Sequence, residues 1–160
     1  MAGEMVERAG GAGNLALVGI CRGGVPLAAK LAQHIEELEG KKVPVGSIDI
    51  SLYRDDAAIA LPRPQIGRTE IPFEVGGHRI VLVDDVLYTG RTVRAAVDAL
   101  LDYGRPKKIE LAVLVDRGGR ELPIQPDFVV KVADVPAVDR IDVISDETGH
   151  RAVIYPGGAG

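Results

Sequence analysis

The segment Arg79–Thr92, R-I-V-L-V-D-D-V-L-Y-T-G-R-T, constrains the fold of this chain more than any other. Four apolar residues, Ile80–Val83, run without polar interruption into two adjacent carboxylates, Asp84 and Asp85. A turn rich in hydroxyls follows, and then apolar residues recur at helical spacing. An unbroken β-branched run suits a parallel strand buried on both faces. Such strands carry their chemistry at the carboxyl end, where the next loop opens toward a ligand. Here that loop supplies the Thr89 and Thr92 hydroxyls, Gly90 and the free amides of a helix start. That combination cradles a phosphate monoester, because backbone N–H groups point at it and the helix dipole favours negative charge. Neighbouring residues on a strand project to opposite sides, so Asp84 and Asp85 do not form a single chelating pair. They can accept hydrogen bonds from sugar hydroxyls or hold Mg²⁺ through water. The competing reading is an ordinary buried strand with an acidic cap.

A second anion site of the same construction is expected near the amino end. Leu15–Ile20 reads as a short buried strand, and Pro26–Glu39 carries Leu27, Leu31, Ile35 and Leu38 at helical spacing, with Gly40 as its stop. Between them, Cys21, Arg22, Gly23 and Gly24 form a loop where backbone can approach a ligand closely. Val43–Leu52 is expected as a further strand, followed by nearly twenty residues to about Pro72 without periodicity, the length of a lid or a disordered insert. Thr92–Tyr103 reads as a helix and Lys108–Val115 as another continuous apolar strand. The alternation describes βαβ crossovers and a parallel sheet. Phe128–Val132, Arg140–Ile144 and Arg151–Tyr155 read as short strands of an edge subdomain, the last two joined by a turn at 146–149.

With 160 residues the chain is read as one domain, a core at about 14–120 and an edge subdomain at about 121–156. The net charge of −4 gives no bulk attraction to nucleic acid, so RNA binding would need a local basic patch. With no Trp, four Tyr and two Phe there is no stacking platform for single strands. The one cysteine fits a reducing, cytoplasmic setting, and no apolar run approaches the ~20 residues of a membrane span.

The phrase D-D-V-L-Y-T-G-R-T resembles the ribose-phosphate signature of type I phosphoribosyltransferases. With V-G-S-I-D-I-S-L-Y-R-D-D and L-A-V-L-V-D-R-G-G-R-E-L-P-I it resembles the bifunctional pyrimidine operon attenuator/uracil phosphoribosyltransferases, over roughly Leu15 to Val129. The resemblance implies a type I phosphoribosyltransferase fold: an α/β chain with a central mostly parallel sheet flanked by helices, a small β hood and a flexible lid loop. It implies conversion of uracil and 5-phosphoribosyl 1-diphosphate (PRPP) to UMP and diphosphate, with Mg²⁺ accompanying PRPP. The residues it assigns to PRPP are Asp84, Asp85, Leu87, Tyr88, Thr89, Gly90, Arg91 and Thr92, with Asp84, Asp85 and Arg54 as the catalytic group. Cys21, Arg22, Gly23 and Gly24 become the pyrophosphate loop. Phe128 would stack on the base and Val129 backbone would read its edge, with Asp116 and Arg117 also facing it. Taken alone, Phe128 reads as core packing. No residue stands out as a general base.

The same family binds pyrimidine-operon messenger RNA when UMP is bound, and Arg117 and Arg120 are the candidate RNA contacts. This chain departs from the family where Gly119 stands for a histidine, Gln125 for an arginine, Gly3 near another histidine and Val130 for a glycine. The alternatives are therefore a UMP-sensing RNA-binding attenuator with little or no catalysis, or a transferase for another base. A homodimer or larger homo-oligomer is expected, with no membrane partner.

Overall fold

A computed structural model describes residues 1–53 and 68–157. Arg54 and the expected lid segment therefore lie outside the described residues, apart from its flanks. The elements are α1 (Ala2–Ala9), β1 (Leu15–Ile20), α2 (Gly24–Glu39), β2 (Val45–Ile48), β3 (Arg79–Leu87), α3 (Arg91–Leu101), β4 (Lys108–Asp116), β5 (Phe128–Val132), β6 (Arg140–Asp146) and β7 (Gly149–Tyr155). Five strands form one sheet in the order β2-β1-β3-β4-β5, every pair parallel.

Alternation along β1, β3 and β4 sorts the apolar run into two cores, as a sheet covered on both faces requires. Ala16, Val18, Ile20, Ile80, Leu82 and Val113 pack with Val93, Ala96 and Leu100 of α3. On the other face Leu15, Leu17, Val81, Val83 and Ala112 pack with Met5 of α1 and with Leu27, Ala28 and Ile35 of α2. β3 lies at the centre, between β1 and β4, and its carboxyl end carries both aspartates.

Two expectations are corrected. β2 stops at Ile48 rather than running to Leu52, because the Asp49 carboxylate accepts the Ser51 N–H at 2.7 Å and turns the backbone. The chain returns to β2 at Glu70, which exchanges two backbone hydrogen bonds with Ser47 in an antiparallel bridge. The second correction concerns β5, which belongs to the main sheet and not to an edge subdomain: Ala112 pairs with Phe128 and Val113 with Val129. Only β6 and β7 form the separate hairpin, antiparallel from Arg140↔Tyr155 to Asp146↔Gly149. Val135 and Ile141 seat this region on Val115, with Val86, Leu114 and Ala133 around them. The hairpin thus stands over the carboxyl ends of β3 and β4.

Candidate active site

The carboxyl ends of β1, β2 and β3 surround a cavity of about 360 Å³ lined by Cys21, Arg22, Gly23, Asp49, Ile50, Ser51, Asp84, Asp85, Val86 and Thr92. The 21–24 loop and the 84–92 segment, separate in sequence, meet here because β1 and β3 are neighbours. The contact is tight. A Cβ at Gly23 would overlap the Asp85 carboxylate, and one at Gly24 would overlap the Val83 carbonyl oxygen. Glycine at both positions is what lets the start of α2 lie against β3. The Cys21–Arg22 peptide is cis, and the Cys21 N–H donates to the Ile48 carbonyl at 2.8 Å. Burial, with Asp49 nearby, pushes the Cys21 thiol up.

Asp85 stands on the α2 side of the sheet, against Gly23. Asp84, one residue earlier, projects to the other face and is buried. Each carboxylate accepts the next backbone amide: Asp85 N–H to Asp84 at 2.9 Å and Val86 N–H to Asp85 at 2.8 Å. Burial pushes the Asp84 carboxyl well above the ordinary aspartate range, and the adjacent Asp85 charge adds to that rise.

Gly90 occupies the left-handed region at φ 91° and ends the turn into α3. Thr89 Oγ1 accepts the Arg91 N–H at 3.3 Å, and Thr92 lines the cavity. The turn is braced from outside by the strap that follows β4. Glu121 and Leu122 both donate their amides to the Thr89 carbonyl, at 2.9 and 3.1 Å, and Glu121 pairs with Arg91 at 2.7 Å. Leu87 is core and does not line the cavity; its carbonyl accepts the Arg117 N–H at 3.1 Å. The Tyr88 ring packs against Arg117 and Gly119.

The residues assigned to the base do not converge. Phe128 is 1% exposed, packed in the core against α1 with the Arg8 guanidinium 4.8 Å from its ring centre. It cannot stack on a ligand; its position on β5 facing α1 decides this. Val129 is half exposed and does not line the cavity. The Asp116 carboxylate is held by Arg120 at 2.6 Å and by the Gly118 N–H at 3.0 Å, and the Arg120 contact lowers it below the usual range. Both candidate RNA contacts face inward. Arg120 donates to the Ile124, Tyr88 and Asp116 oxygens at 2.7, 3.0 and 2.6 Å. Arg117 is 6% exposed and donates to the Pro136 and Asp139 carbonyls. Asp49 and Ser51 line the cavity and were not singled out from sequence. Their signal was available, since both follow a parallel strand at its carboxyl end.

Among the described residues no group of three or more acidic, His or Cys side chains forms a metal cage. The donor set fits instead a hydrated Mg²⁺ arriving on a polyphosphate, which needs only one or two protein carboxylates. No helix of the described residues is long and apolar enough to cross a membrane.

Residues 1–143 match the family described as the phosphoribosyl transferase domain. The fold agrees with that class. A purine phosphoribosyltransferase from Pyrococcus horikoshii superposes with a TM-score of 0.58 at 22% identity, covering 83% of this chain and 77% of that one. The hypoxanthine phosphoribosyltransferase of Trypanosoma cruzi gives 0.63 at 20% identity, covering 86% and 74%. The sequence is similar to the bifunctional protein PyrR of Pelotomaculum thermopropionicum, 58% identical over 89% of this chain and 78% of that protein. It is 55% identical to the bifunctional protein PyrR of Thermus thermophilus, over 89% and 86%. The chain belongs to the PyrR family of phosphoribosyltransferases.

Proposed function

We propose that this chain transfers the phosphoribosyl group of PRPP to uracil, giving UMP and diphosphate. One observation carries the reading: the glycine-bearing 21–24 loop and Thr92 at the start of α3 line one cavity together with Asp84 and Asp85. The 89–92 turn and the start of α3 hold the 5-phosphate, and the 21–24 loop at the start of α2 holds the diphosphate. Asp84 and Asp85 hold the ribose hydroxyls between these ends and oppose the positive charge that develops at C1. The C1–O bond to diphosphate breaks and its electron pair leaves with the diphosphate. N1 of uracil then supplies the pair for the new C1–N1 bond, and its proton passes to diphosphate or water. Asp85 would help hold a hydrated Mg²⁺ arriving with PRPP, which would supply charge neutralisation at the leaving group. The Arg54 role remains part of this proposal, on a residue outside those described. The base lies between Tyr88 and the hairpin, on the Arg117 side rather than at Phe128.

The test is UMP formation from uracil and PRPP, with and without Mg²⁺ and beside other bases. Mg²⁺-dependent UMP supports the reading; turnover with a different base alone replaces the substrate; UMP binding without any turnover favours a sensor. The relatives' description as bifunctional supports a second role, which we propose is UMP-dependent regulation through pyrimidine-operon messenger RNA; a cytoplasmic homo-oligomer is part of the same proposal. RNA contact in this chain would not run through Arg117 or Arg120, whose guanidinium groups are engaged internally.

A further inference from the structure

We infer that Arg117 is a positioning residue: it clasps the 136–139 loop to the ribose-phosphate turn through the Tyr88 ring, and so sets affinity for the base. The inference rests on the transferase reading above. One buried side chain touches both loops. Its two terminal nitrogens donate to the Asp139 carbonyl at 3.0 Å and the Pro136 carbonyl at 2.9 Å. Its guanidinium carbon lies 4.1 Å from the centre of the Tyr88 ring. Its backbone N–H donates to the Leu87 carbonyl, which fixes the base of the side chain to the same turn.

The clasp is a costly construction. None of the ion pairs among the described residues includes Arg117, and its Nε is buried without a hydrogen-bond partner. A buried cation without a counter-charge is unfavourable, and simple apolar packing would hold a loop at lower cost. What apolar packing cannot supply is a planar fork that reads two carbonyls while its face lies on an aromatic ring. Loop geometry is thereby transmitted to Tyr88. Gly119, at φ 74°, lies against the Cδ2–Cε2 edge of that ring, where a Cβ would overlap it. Tyr88 thus touches both Arg117 and the backbone at residue 119. The loop is also tied at its other end, by the Gly157 N–H donating to the Asp139 carboxylate at 2.8 Å.

The test compares Arg117→Met, Arg117→Lys, Tyr88→Leu and the Arg117→Met/Tyr88→Leu pair. Arg117→Met should raise KM for the base by roughly tenfold with KM for PRPP changed by less than about threefold, and Tyr88→Leu should raise KM for the base by a similar factor. The pair should be little worse than either alone, because both remove one linkage. Arg117→Lys, which keeps the cation but loses the fork, should fall between. Unchanged base KM, or effects that multiply independently, would overturn the inference.

Amide hydrogen exchange at Asp139 gives a readout that needs neither turnover nor an intact Arg117. That amide donates to the Pro136 carbonyl, the one the arginine also holds. Tyr88→Leu, a change at a half-exposed residue on the opposite loop, should accelerate exchange there. Unchanged exchange sinks the clasp, even where uracil proves to be the wrong base. Faster exchange with no uracil turnover keeps the clasp and removes the substrate.

Discussion

Asp84 takes up its charge only at the expense of the fold. Its folded carboxyl titrates above the ordinary aspartate range, so its contribution favours the native state in acid and turns unfavourable as pH rises through the folded value. Asp84→Asn is therefore expected to raise the melting temperature at neutral pH, with the gap over wild type closing in acid, while turnover is lost. Thermal melts across pH check the first part and UMP formation the second; a mutant less stable at neutral pH would refute it. The same titration predicts that kcat/KM falls on the acid side above the ordinary aspartate range. Gly24→Ala belongs beside it. The added methyl meets the Val83 carbonyl, a backbone atom of the central strand, so the loop must shift. We expect at least ~100-fold loss of turnover from misplacement alone, which PRPP titration should report as weakened binding.

At the scale of elements, the strap 118–125 is what holds the 89–92 turn in shape. Gly90 combines a φ of 91° with Ile124 and Leu122 atoms 3.3 and 3.4 Å from where a Cβ would sit. Gly90→Ala is expected to destabilise by more than about 1 kcal/mol and to raise KM for PRPP, readable by denaturant melts and initial rates. This is also where sequence reading met its limit. β1 and β5 were legible to the residue, and the apolar run at Ile80–Val83 led directly to the paired aspartates. The strand itself continues to Leu87, because pairing with β4 outlasts the apolar pattern. Phe128 taken alone reads as core packing, as the structure has it, and only the resemblance moved it to the base; what the sequence leaves unwritten is that F-V-V-K-V joins the main sheet as a fifth parallel strand. The phrase R-G-G-R-E-L-P-I marks a family, yet nothing in it shows that its arginines turn inward. Hydrogen bonds to carbonyls far along the chain are written in the fold and not in the motif.

Across the whole molecule, the site sits at one end of the sheet and an ion cluster secures the other. Arg79 and Glu110 are joined by two hydrogen bonds between β3 and β4, with Lys108 3.1 Å away and the Glu110 side chain 2% exposed. Arg79, with Lys108, holds the Glu110 carboxyl below the usual range, so its stabilisation is present above the ordinary glutamate value and lost as pH falls through the lowered one. Glu110→Ala should cost about 2 kcal/mol near neutrality and progressively less in acid, with turnover of the folded enzyme retained. Ligand occupancy adds from the other end. PRPP with Mg²⁺ at a hundredfold excess over its Kd should stabilise by about 2.7 kcal/mol, or roughly 5–10 °C for a chain of this size. No shift with PRPP would contradict the assignment of the cavity.

The packing of Gly23 and Gly24 against β3 also bears on how such a site can change over generations. Every base substitution in the first two positions of a glycine codon replaces hydrogen with a larger group or stops the chain. At these two places each replacement strikes the strand that bears the paired aspartates. Drift in the 21–24 loop therefore has no small step open to it there. On the reading proposed above, new substrate ranges would be easier to reach from the hairpin side, whose residues are not among those lining the cavity.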